Sequence, residues 1–282
     1  MAAVRRMLLH VLVAVVAAYA ALLLLLWLTQ DRLIYFPQVG GSALPTPARV
    51  KLPFQDVRIA TEDGETLAAW WVPAGPMRGA VLLLHGNAGS IADRIDYLPH
   101  FNAMGYAVLL VDYRGYGAST GKPSERGTYL DAHAAWRWLA AQRGLRPGAI
   151  VLVGESLGGA VAAELAARVQ PRALMLIATF TSAVDLGSEI YPYLPVRLIS
   201  RYRYDTLAHL RGFHGPVLIA HSRDDEIVPF AHGERLYAAA TGAKSLLVMR
   251  GGHNDGFLFD QPAWVRMVDN FLARHEVPDK KL

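Results

Sequence analysis

The chain has 282 residues, 53% of them hydrophobic, and no cysteine, which excludes disulfides, thiolate nucleophiles and cysteine-ligated metal sites. Its formal net charge of +4 resides at the two ends, because without Arg5, Arg6, Lys280 and Lys281 the remaining 24 basic residues balance the 24 acidic ones. A neutral central part argues against a basic nucleic-acid-binding surface, so no nucleic-acid partner is predicted.

The N-terminal segment is the most apolar part of the chain. Residues Met7 to Leu28 read MLLHVLVAVVAAYAALLLLLWL, in which His10 is the only strongly polar side chain. As a helix this stretch measures about 33 Å, enough to cross the roughly 30 Å hydrocarbon core of a bilayer. We therefore predict a tail and transmembrane anchor over residues 1–28.

A cleaved signal peptide is the alternative reading of this segment, since the triplet Ala18–Ala20 resembles a small-residue cleavage site. The run ALLLLLWL follows where a cleaved peptide would turn polar, which favours an uncleaved, single-pass anchor. Arg5 and Arg6 precede the helix and favour a cytoplasmic N-terminus with the rest of the chain on the far side, although Arg32 counts against this orientation.

The segment after the anchor changes character. Residues 29–52 contain several prolines and a glycine pair, and we predict that they form a linker. Residues 53–282 are predicted to form one domain. Its predicted strands are Val57–Ala60, Leu67–Val72, Ala80–Leu84, Ala107–Val111, Ile150–Val153, Ala173–Ile177, Val217–Ala220 and Leu246–Met249.

Most of these strands are short, unbroken apolar runs, a pattern typical of strands buried on both faces. Helical stretches such as Tyr129–Gln142 and Leu157–Val169 lie between them. This alternation predicts an α/β fold with one mostly parallel sheet covered by helices on both faces.

One connection between two strands is unusually long. Residues 179–214 are predicted to form a lid, because connections of this length are usually functional. Several apolar side chains in it would either line a groove for an acyl chain or cap the core, and the sequence leaves both readings open: Tyr191, Tyr193, Leu194, Val196, Leu198 and Ile199.

A serine stands where one predicted strand meets the next helix. The strand Ile150–Val153 runs into the turn Gly154–Gly158, which has the form G-x-S-x-G. A turn of this kind aims its serine hydroxyl out of the carboxyl edge of the sheet, beside a helix N-terminus. Ser156 is therefore the predicted nucleophile, and the main-chain N–H of Leu157 is a predicted oxyanion donor.

A second match to the same pattern occurs at Gly117–Gly121. No apolar strand abuts Ser119 on its N-terminal side, and Pro123 follows where a helix would have to continue. Ser119 is therefore predicted to be a loop residue.

A nucleophilic serine needs a base, and the base needs an orienting carboxylate, in the chain order serine, acid, histidine on this kind of sheet. The predicted strand Leu246–Met249 is followed by His253, the predicted base. The preceding strand is followed by Asp224, Asp225 and Glu226, and the residues alone leave the choice among these three open.

The loop after the strand Ala80–Leu84 reads HGNAG. Its glycines allow a tight turn in which the main-chain N–H of Asn87 would face the site as a second oxyanion donor. The histidines are otherwise dispersed, and no cofactor motif or H-E-x-x-H pattern occurs, so neither a metal nor a cofactor is predicted.

The motifs LLLHGNAG, DYRGYGASTGKPSERG, GESLGG, HSRDDEIVP and GGHND, in this order, resemble the α/β-hydrolase superfamily, and within it the membrane-anchored serine hydrolases of the ABHD type. The resemblance implies Ser156 as nucleophile, His253 as base and Asp225 as acid. It implies the N–H groups of Asn87 and Leu157 as the oxyanion hole, and Arg114 as a structural ion-pair member.

These observations together predict a serine hydrolase that cleaves carboxylic esters or thioesters through an acyl-enzyme. Its expected substrate is a small-molecule or lipid-like acyl compound. The alternatives are a serine peptidase or amidase with the same residues, and a non-catalytic binding module on the same fold.

Overall fold

The computed structural model describes residues 1–37, 45–256 and 258–276. The strands in these ranges are β1 Phe36–Pro37, β2 Gln55–Ala60, β3 Thr66–Val72, β4 Gly79–Leu84, β5 Ala88–Gly89, β6 Tyr106–Val111, β7 Ile150–Glu155, β8 Ala173–Ile177, β9 Val217–Ser222 and β10 Lys244–Met249. The helices are α1 Ala2–Ile34, α2 Tyr97–Ala103, α3 Glu125–Arg143, α4 Leu157–Val169, α5 Ala183–Ile190, α6 Val196–Ile199, α7 Thr206–Leu210, α8 Phe230–Ala239 and α9 Pro262–Arg274.

The main sheet has eight strands in the order β10-β9-β8-β7-β4-β6-β3-β2. All neighbouring pairs are parallel except β3 with β6 and β2 with β3. Every strand predicted from the sequence is present, with its ends shifted by two residues at most. The expectation of a mostly parallel sheet in an α/β fold is confirmed.

Alternate residues of each central strand enter two separate cores, one on each face of the sheet. Leu82, Leu109 and Leu152 pack on the face covered by α3, α4 and α8. Their neighbours, including Val81 and Val108, pack on the face covered by α2 and α9. Because both faces are buried, the strands contain unbroken apolar runs, as the sequence predicted.

The N-terminal helix α1 is longer than the apolar stretch within it. It extends from Ala2 to Ile34, past the predicted end at Leu28. Among the helices of the described residues, α1 is the one long and apolar enough to cross a membrane. None of its most apolar 18-residue stretch is buried. The structure thus contains one exposed apolar helix of membrane-spanning length.

The predicted linker differs from the structure in its first part. The sequence suggested a tether over 29–52, but α1 continues to Ile34 and β1 pairs in parallel with β5. Gln30 and Tyr35 are buried against the domain. Gln30, Asp31 and Tyr35 at this end of the helix form hydrogen bonds with the domain. The glycine pair of the predicted linker lies outside the described residues.

Tyr35 fixes the end of α1 to the domain. Its hydroxyl lies 2.7 Å from the hydroxyl of Tyr204, which in turn lies 3.0 Å from Thr128 Oγ1. Its ring contacts the edges of Tyr202 and Tyr204. The side chain is only 4% exposed, whereas that of the next residue, Phe36, is 41% exposed.

We therefore expect Tyr35→Ala to lower the free energy of unfolding by about 3–5 kcal/mol, since it empties a buried aromatic site. Phe36→Ala is the matched control and is expected to change stability far less. Thermal unfolding of both variants in detergent measures the difference. Equal losses for the two variants would contradict the packing described for Tyr35.

Arg114 forms ion pairs with the carboxylates of Asp63 and Asp131. Its Nη2 lies 2.8 Å from Asp131 Oδ1, and its Nη1 lies 2.7 Å from Asp63 Oδ2. Asp131 is fully buried, and its Oδ2 also accepts a hydrogen bond from the Arg114 main-chain N–H at 2.8 Å. Arg114 is therefore a structural ion-pair member, as the family resemblance implied.

Removing this guanidinium leaves the Asp131 carboxylate buried without its partner. We expect Arg114→Met to lower the free energy of unfolding by about 3–5 kcal/mol. Arg137→Met, which removes the exposed 3.4 Å pair with Glu62, is expected to change stability by at most about 1 kcal/mol. Denaturant unfolding of the two variants tests this contrast, and a small loss for Arg114→Met would refute it.

Candidate active site

Ser156 lies on a sharp turn between β7 and α4. It is the N-cap of α4 with φ 51° and ψ −117°, a left-handed conformation that residues with a side chain rarely adopt. A Cβ at Gly154 would strike the backbone of Gly158, and one at Gly158 would strike the carbonyl oxygen of Leu84 on β4. The two glycines of the motif therefore let β7, α4 and β4 approach closely enough to form the turn.

The chain holds this turn from both sides. Ser156 N–H donates to the carbonyl oxygen of Ile177 on β8 at 2.9 Å. Thr179 Oγ1 donates to the Ser156 carbonyl oxygen at 2.6 Å. These two bonds hold the backbone of the serine in the turn.

Three loops bring a hydroxyl, an imidazole and a carboxylate into one line. The Oγ of Ser156 lies 3.1 Å from Nε2 of His253, and Nδ1 of His253 lies 2.8 Å from Oδ2 of Asp225. Since a carboxylate only accepts hydrogen bonds, Nδ1 carries the proton and Nε2 is free to accept the serine proton. Ser156 and the His253 side chain are each 9% exposed.

Asp225 is held as a carboxylate by its surroundings. Burial alone would raise its pKa, but hydrogen bonds from His221, His253 and the Val228 N–H outweigh burial and hold the pKa of Asp225 well below its usual range. Its Oδ1 accepts from the N–H groups of Ile227 at 3.0 Å and Val228 at 2.7 Å. The orienting acid therefore stays ionised at neutral pH.

The structure separates the three acids that the sequence left open. Asp224 points away from the imidazole and pairs with Arg250 at 2.9 Å. Glu226 accepts a 3.0 Å hydrogen bond from the main-chain N–H of His253, so it supports the loop that carries the imidazole. Of the three, Asp225 is the one that bonds to the imidazole ring.

The loop after β4 lies beside the serine. The nearest existing atom to a Cβ built on Gly86 would be Ser156 Cβ at 3.5 Å. Asn87 is tied to the end of α1: its Nδ2 donates to the Ile34 carbonyl oxygen at 2.9 Å, and its own carbonyl oxygen accepts from Phe36 N–H at 2.9 Å. None of these bonds uses the main-chain N–H of Asn87.

Leu157 is the first residue of α4, where a main-chain N–H has no acceptor within the helix. The N-terminal end of a helix also favours negative charge. Two N–H groups, those of Asn87 and Leu157, thus belong to the two turns that flank the serine, which is the placement expected of an oxyanion hole.

Sequence reasoning missed two groups that support the site. His221 is buried, donates from Nε2 to the Val228 carbonyl oxygen at 2.8 Å, and lies 3.5 Å from Asp225 Oδ2. Thr179 fixes the serine turn, as described above. His221 opens the motif HSRDDEIVP and Thr179 belongs to no quoted motif. Both stand within two residues of the end of a predicted strand, and that position was the available signal.

The predicted lid, residues 179–214, contains α5, α6 and α7. The sequence left open whether its apolar side chains line a groove or cap the core. Tyr191, Tyr193 and Leu198 do not cap the core, because they are exposed at the surface, while Leu194, Val196 and Ile199 are half-buried. The core-capping reading is therefore wrong for the three exposed side chains, and the groove reading stays a prediction.

The sheet order, the serine turn and the helices on both faces define the class of α/β-hydrolase folds. A family model described as alpha/beta hydrolase fold matches residues 79–198. The chain is 40% identical to uncharacterized protein Rv2307c of Mycobacterium tuberculosis, over 94% of this chain and 95% of that protein. It is 32% identical to the alpha/beta hydrolase domain-containing protein WAV2 of Arabidopsis thaliana, over 89% and 90% of the two chains.

The esterase Pf2001 of Pyrococcus furiosus has a similar structure, with a TM-score of 0.69 at 23% identity over 86% of this chain and 98% of the esterase. At that identity the likeness shows the fold alone. The chain belongs to the α/β-hydrolase family and, within it, to the ABHD type.

Proposed function

We propose that this protein is a serine hydrolase that cleaves carboxylic esters or thioesters through an acyl-enzyme. The observation that carries the proposal is the unbroken hydrogen-bonded line from Ser156 Oγ through the His253 imidazole to the ionised Asp225. A buried serine held in a strained turn, with a base aimed at its hydroxyl, is the arrangement that nucleophilic catalysis requires.

In the first half of the reaction, Ser156 Oγ attacks the acyl carbonyl while His253 Nε2 takes the hydroxyl proton. The negative charge that develops on the carbonyl oxygen is stabilised by the N–H groups of Asn87 and Leu157, each worth about 3–4 kcal/mol in comparable sites. The imidazolium then gives its proton to the leaving alcohol or thiol, and the acyl-serine remains.

In the second half, water replaces the leaving group. His253 removes a proton from the water as it attacks the acyl carbon, and the serine oxygen leaves with the proton returned from Nε2. Asp225 keeps Nδ1 protonated and stabilises the imidazolium in both halves. Every step uses groups of this chain and water alone.

We also propose that α1 is a single-pass membrane anchor. Its length and apolar surface support this, as does the ALLLLLWL run that continues past the small-residue triplet. Arg5 and Arg6 favour a cytoplasmic N-terminus with the hydrolase domain on the other side. An anchored enzyme of this kind meets acyl compounds that partition into membranes.

Labelling with a fluorophosphonate probe tests the nucleophile directly, since the probe forms a covalent bond with an activated serine. The wild-type chain is expected to label, and Ser156→Ala is not. Hydrolysis of paired p-nitrophenyl esters and p-nitroanilides of the same acyl group then separates the esterase from an amidase. A chain that neither labels nor hydrolyses any ester would be a binding module, and the proposal would be wrong.

A further inference from the structure

The lid, residues 179–214, lies against α1. The hydroxyl of Tyr19 donates to the Tyr193 carbonyl oxygen at 2.9 Å. Eleven residues further along the helix, Gln30 Nε2 donates to the Ile199 carbonyl oxygen at 2.7 Å, and its Oε1 accepts from Arg201 N–H at 2.8 Å. Since a helix rises 1.5 Å per residue, the lid follows α1 over about 16 Å.

This contact reaches into the part of α1 that would lie inside a bilayer. Tyr19 is about 13 Å along the helix from Leu28, the last residue of the apolar stretch. A helix tilt of 40° would still leave the Tyr19 level about 10 Å below that end. The hydrocarbon core is roughly 30 Å thick, so the lid residues beside Tyr19 lie within one leaflet.

The side chains on this part of the lid suit lipid and not water. We define the lid tip as residues 190–198. Its side chains Ile190, Tyr191, Tyr193 and Leu198 are 44%, 46%, 70% and 86% exposed. Large exposed apolar side chains this close together mark an interaction surface.

Arginines are the charged residues of the lid tip and of the segment that follows it, and two of them pair with acidic residues outside that segment: Arg197 with Asp185 at 3.2 Å and Arg201 with Asp31 at 3.6 Å. From Ile190 to Tyr204 the sequence is IYPYLPVRLISRYRY, with three arginines and no acidic residue. The Arg201 guanidinium lies 5.3 Å from the centre of the Trp27 ring on α1. Tyrosine, tryptophan and arginine are the residues that occupy the boundary between hydrocarbon and headgroups, with long cationic side chains reaching outward.

The same end of α1 borders the candidate active site. The oxyanion loop bonds to Ile34 and Phe36 through Asn87, and the lid begins at Thr179, whose hydroxyl holds the Ser156 backbone. The membrane helix, the lid and the serine turn are therefore joined by direct hydrogen bonds.

We infer that the lid tip is embedded in the lipid of the leaflet that surrounds the C-terminal half of α1, so that this enzyme contacts the membrane through two elements. The occupant of the exposed apolar surface is the bilayer itself. The inference rests on the membrane-anchor part of the proposed function and is independent of the ester chemistry.

The cysteine-free sequence allows a direct test in the full-length protein. Single-cysteine variants Leu198→Cys, Leu12→Cys and Gln142→Cys are labelled with the environment-sensitive dye NBD and reconstituted in phosphatidylcholine vesicles. Leu12 is an exposed residue of α1, and Gln142 is an exposed residue near the end of α3, at the opposite edge of the sheet from the serine. Nitroxide-labelled lipid reports contact with acyl chains, and iodide reports contact with water.

The dye on Leu198→Cys is expected to lose fluorescence with nitroxide lipid as the dye on Leu12→Cys does, and to resist iodide. The dye on Gln142→Cys is expected to show the reverse. If Leu198→Cys behaves like Gln142→Cys while Leu12→Cys reports lipid, α1 is an anchor but the lid tip lies in water, and the inference is wrong.

Two other outcomes would also overturn the inference. If the dye on Leu198→Cys is shielded from both quenchers, protein covers the lid tip, and a second copy of the chain is the occupant. If Leu12→Cys itself is open to iodide, the anchor proposal fails and the lid inference fails with it. Fluorophosphonate labelling of Ser156 is read separately, so a failure of the hydrolase proposal is distinguishable from all of these.

Discussion

Replacement of Ser156 by alanine is expected to lower turnover of a short p-nitrophenyl ester by about 10⁴–10⁶-fold, with the fold unchanged. The substitution removes the attacking oxygen but keeps the backbone bonds of the turn to Ile177 and Thr179. Steady-state kinetics on the purified full-length chain, with thermal unfolding as a check on folding, measure the effect.

Ser119→Ala is the matched control, because Ser119 stands in the other G-x-S-x-G match. Its hydroxyl donates to the Asp112 carbonyl oxygen and accepts from the Ala68 N–H, both at 2.8 Å, so it supports a loop. We expect lower stability and nearly unchanged turnover. Equal activity loss in the two variants, or none in Ser156→Ala, would exclude Ser156 as the nucleophile.

Asp225→Asn is expected to lower turnover by about 10⁴-fold through the wrong histidine tautomer. The N–H groups of Ile227 and Val228 would orient the amide so that its oxygen replaces Oδ1 and its NH₂ faces His253 Nδ1. Nδ1 must then accept a hydrogen bond, the ring proton moves to Nε2, and the imidazole can no longer take the serine proton.

Asp224→Asn tests the same charge change one residue away. Its carboxylate faces Arg250 and is partly exposed, so we expect turnover to stay close to that of the unaltered chain. If Asp224→Asn were the more damaging variant, the assignment of the acid would pass to Asp224.

The low pKa of Asp225 also has a consequence for stability, with a definite sign. A carboxyl group whose pKa is lowered by folding stabilises the native state at pH values above its pKa in the unfolded chain, which is about 3.9. That stabilisation is lost only as the pH falls from there towards the folded pKa. Asp225→Asn should therefore flatten the acid side of the stability profile below that value while leaving its shape at neutral pH unchanged.

The sheet and the serine turn were predictable because their signals are local. The unbroken apolar runs at β4, β6, β7 and β8 are five or six residues long and buried on both faces, the pattern typical of central parallel strands. Gly154 is required by its contact with Gly158 in the same turn, and Gly158 by its contact with the carboxyl end of β4, so the motif marks a turn packed tightly against the sheet. Chain order then pointed to the two loops whose Asp225 and His253 the structure brings beside Ser156.

The choice among the three acids and the course of the juxtamembrane segment were not predictable in the same way. Adjacent carboxylates differ by the directions their side chains take, and the turn that sets those directions is fixed by long-range bonds such as Glu226 to His253 N–H. Likewise, residues 30–37 read as a tether because their partners, Tyr204 and Asn87, are far away in sequence. The apolar side chains of the predicted lid were visible in the sequence, but the sequence did not show whether they are buried or exposed.

The bonds between Asn87 and the end of α1 join the α/β-hydrolase domain directly to the proposed membrane anchor. With Ile34 and Phe36 hydrogen-bonded to the oxyanion loop and Tyr35 buried, the domain cannot swing outward on a flexible stalk. If α1 spans a bilayer as proposed, the Ser156 hydroxyl is held at a fixed distance from the membrane surface. Selectivity among membrane compounds would then follow the depth of the scissile bond as much as the shape of the acyl group.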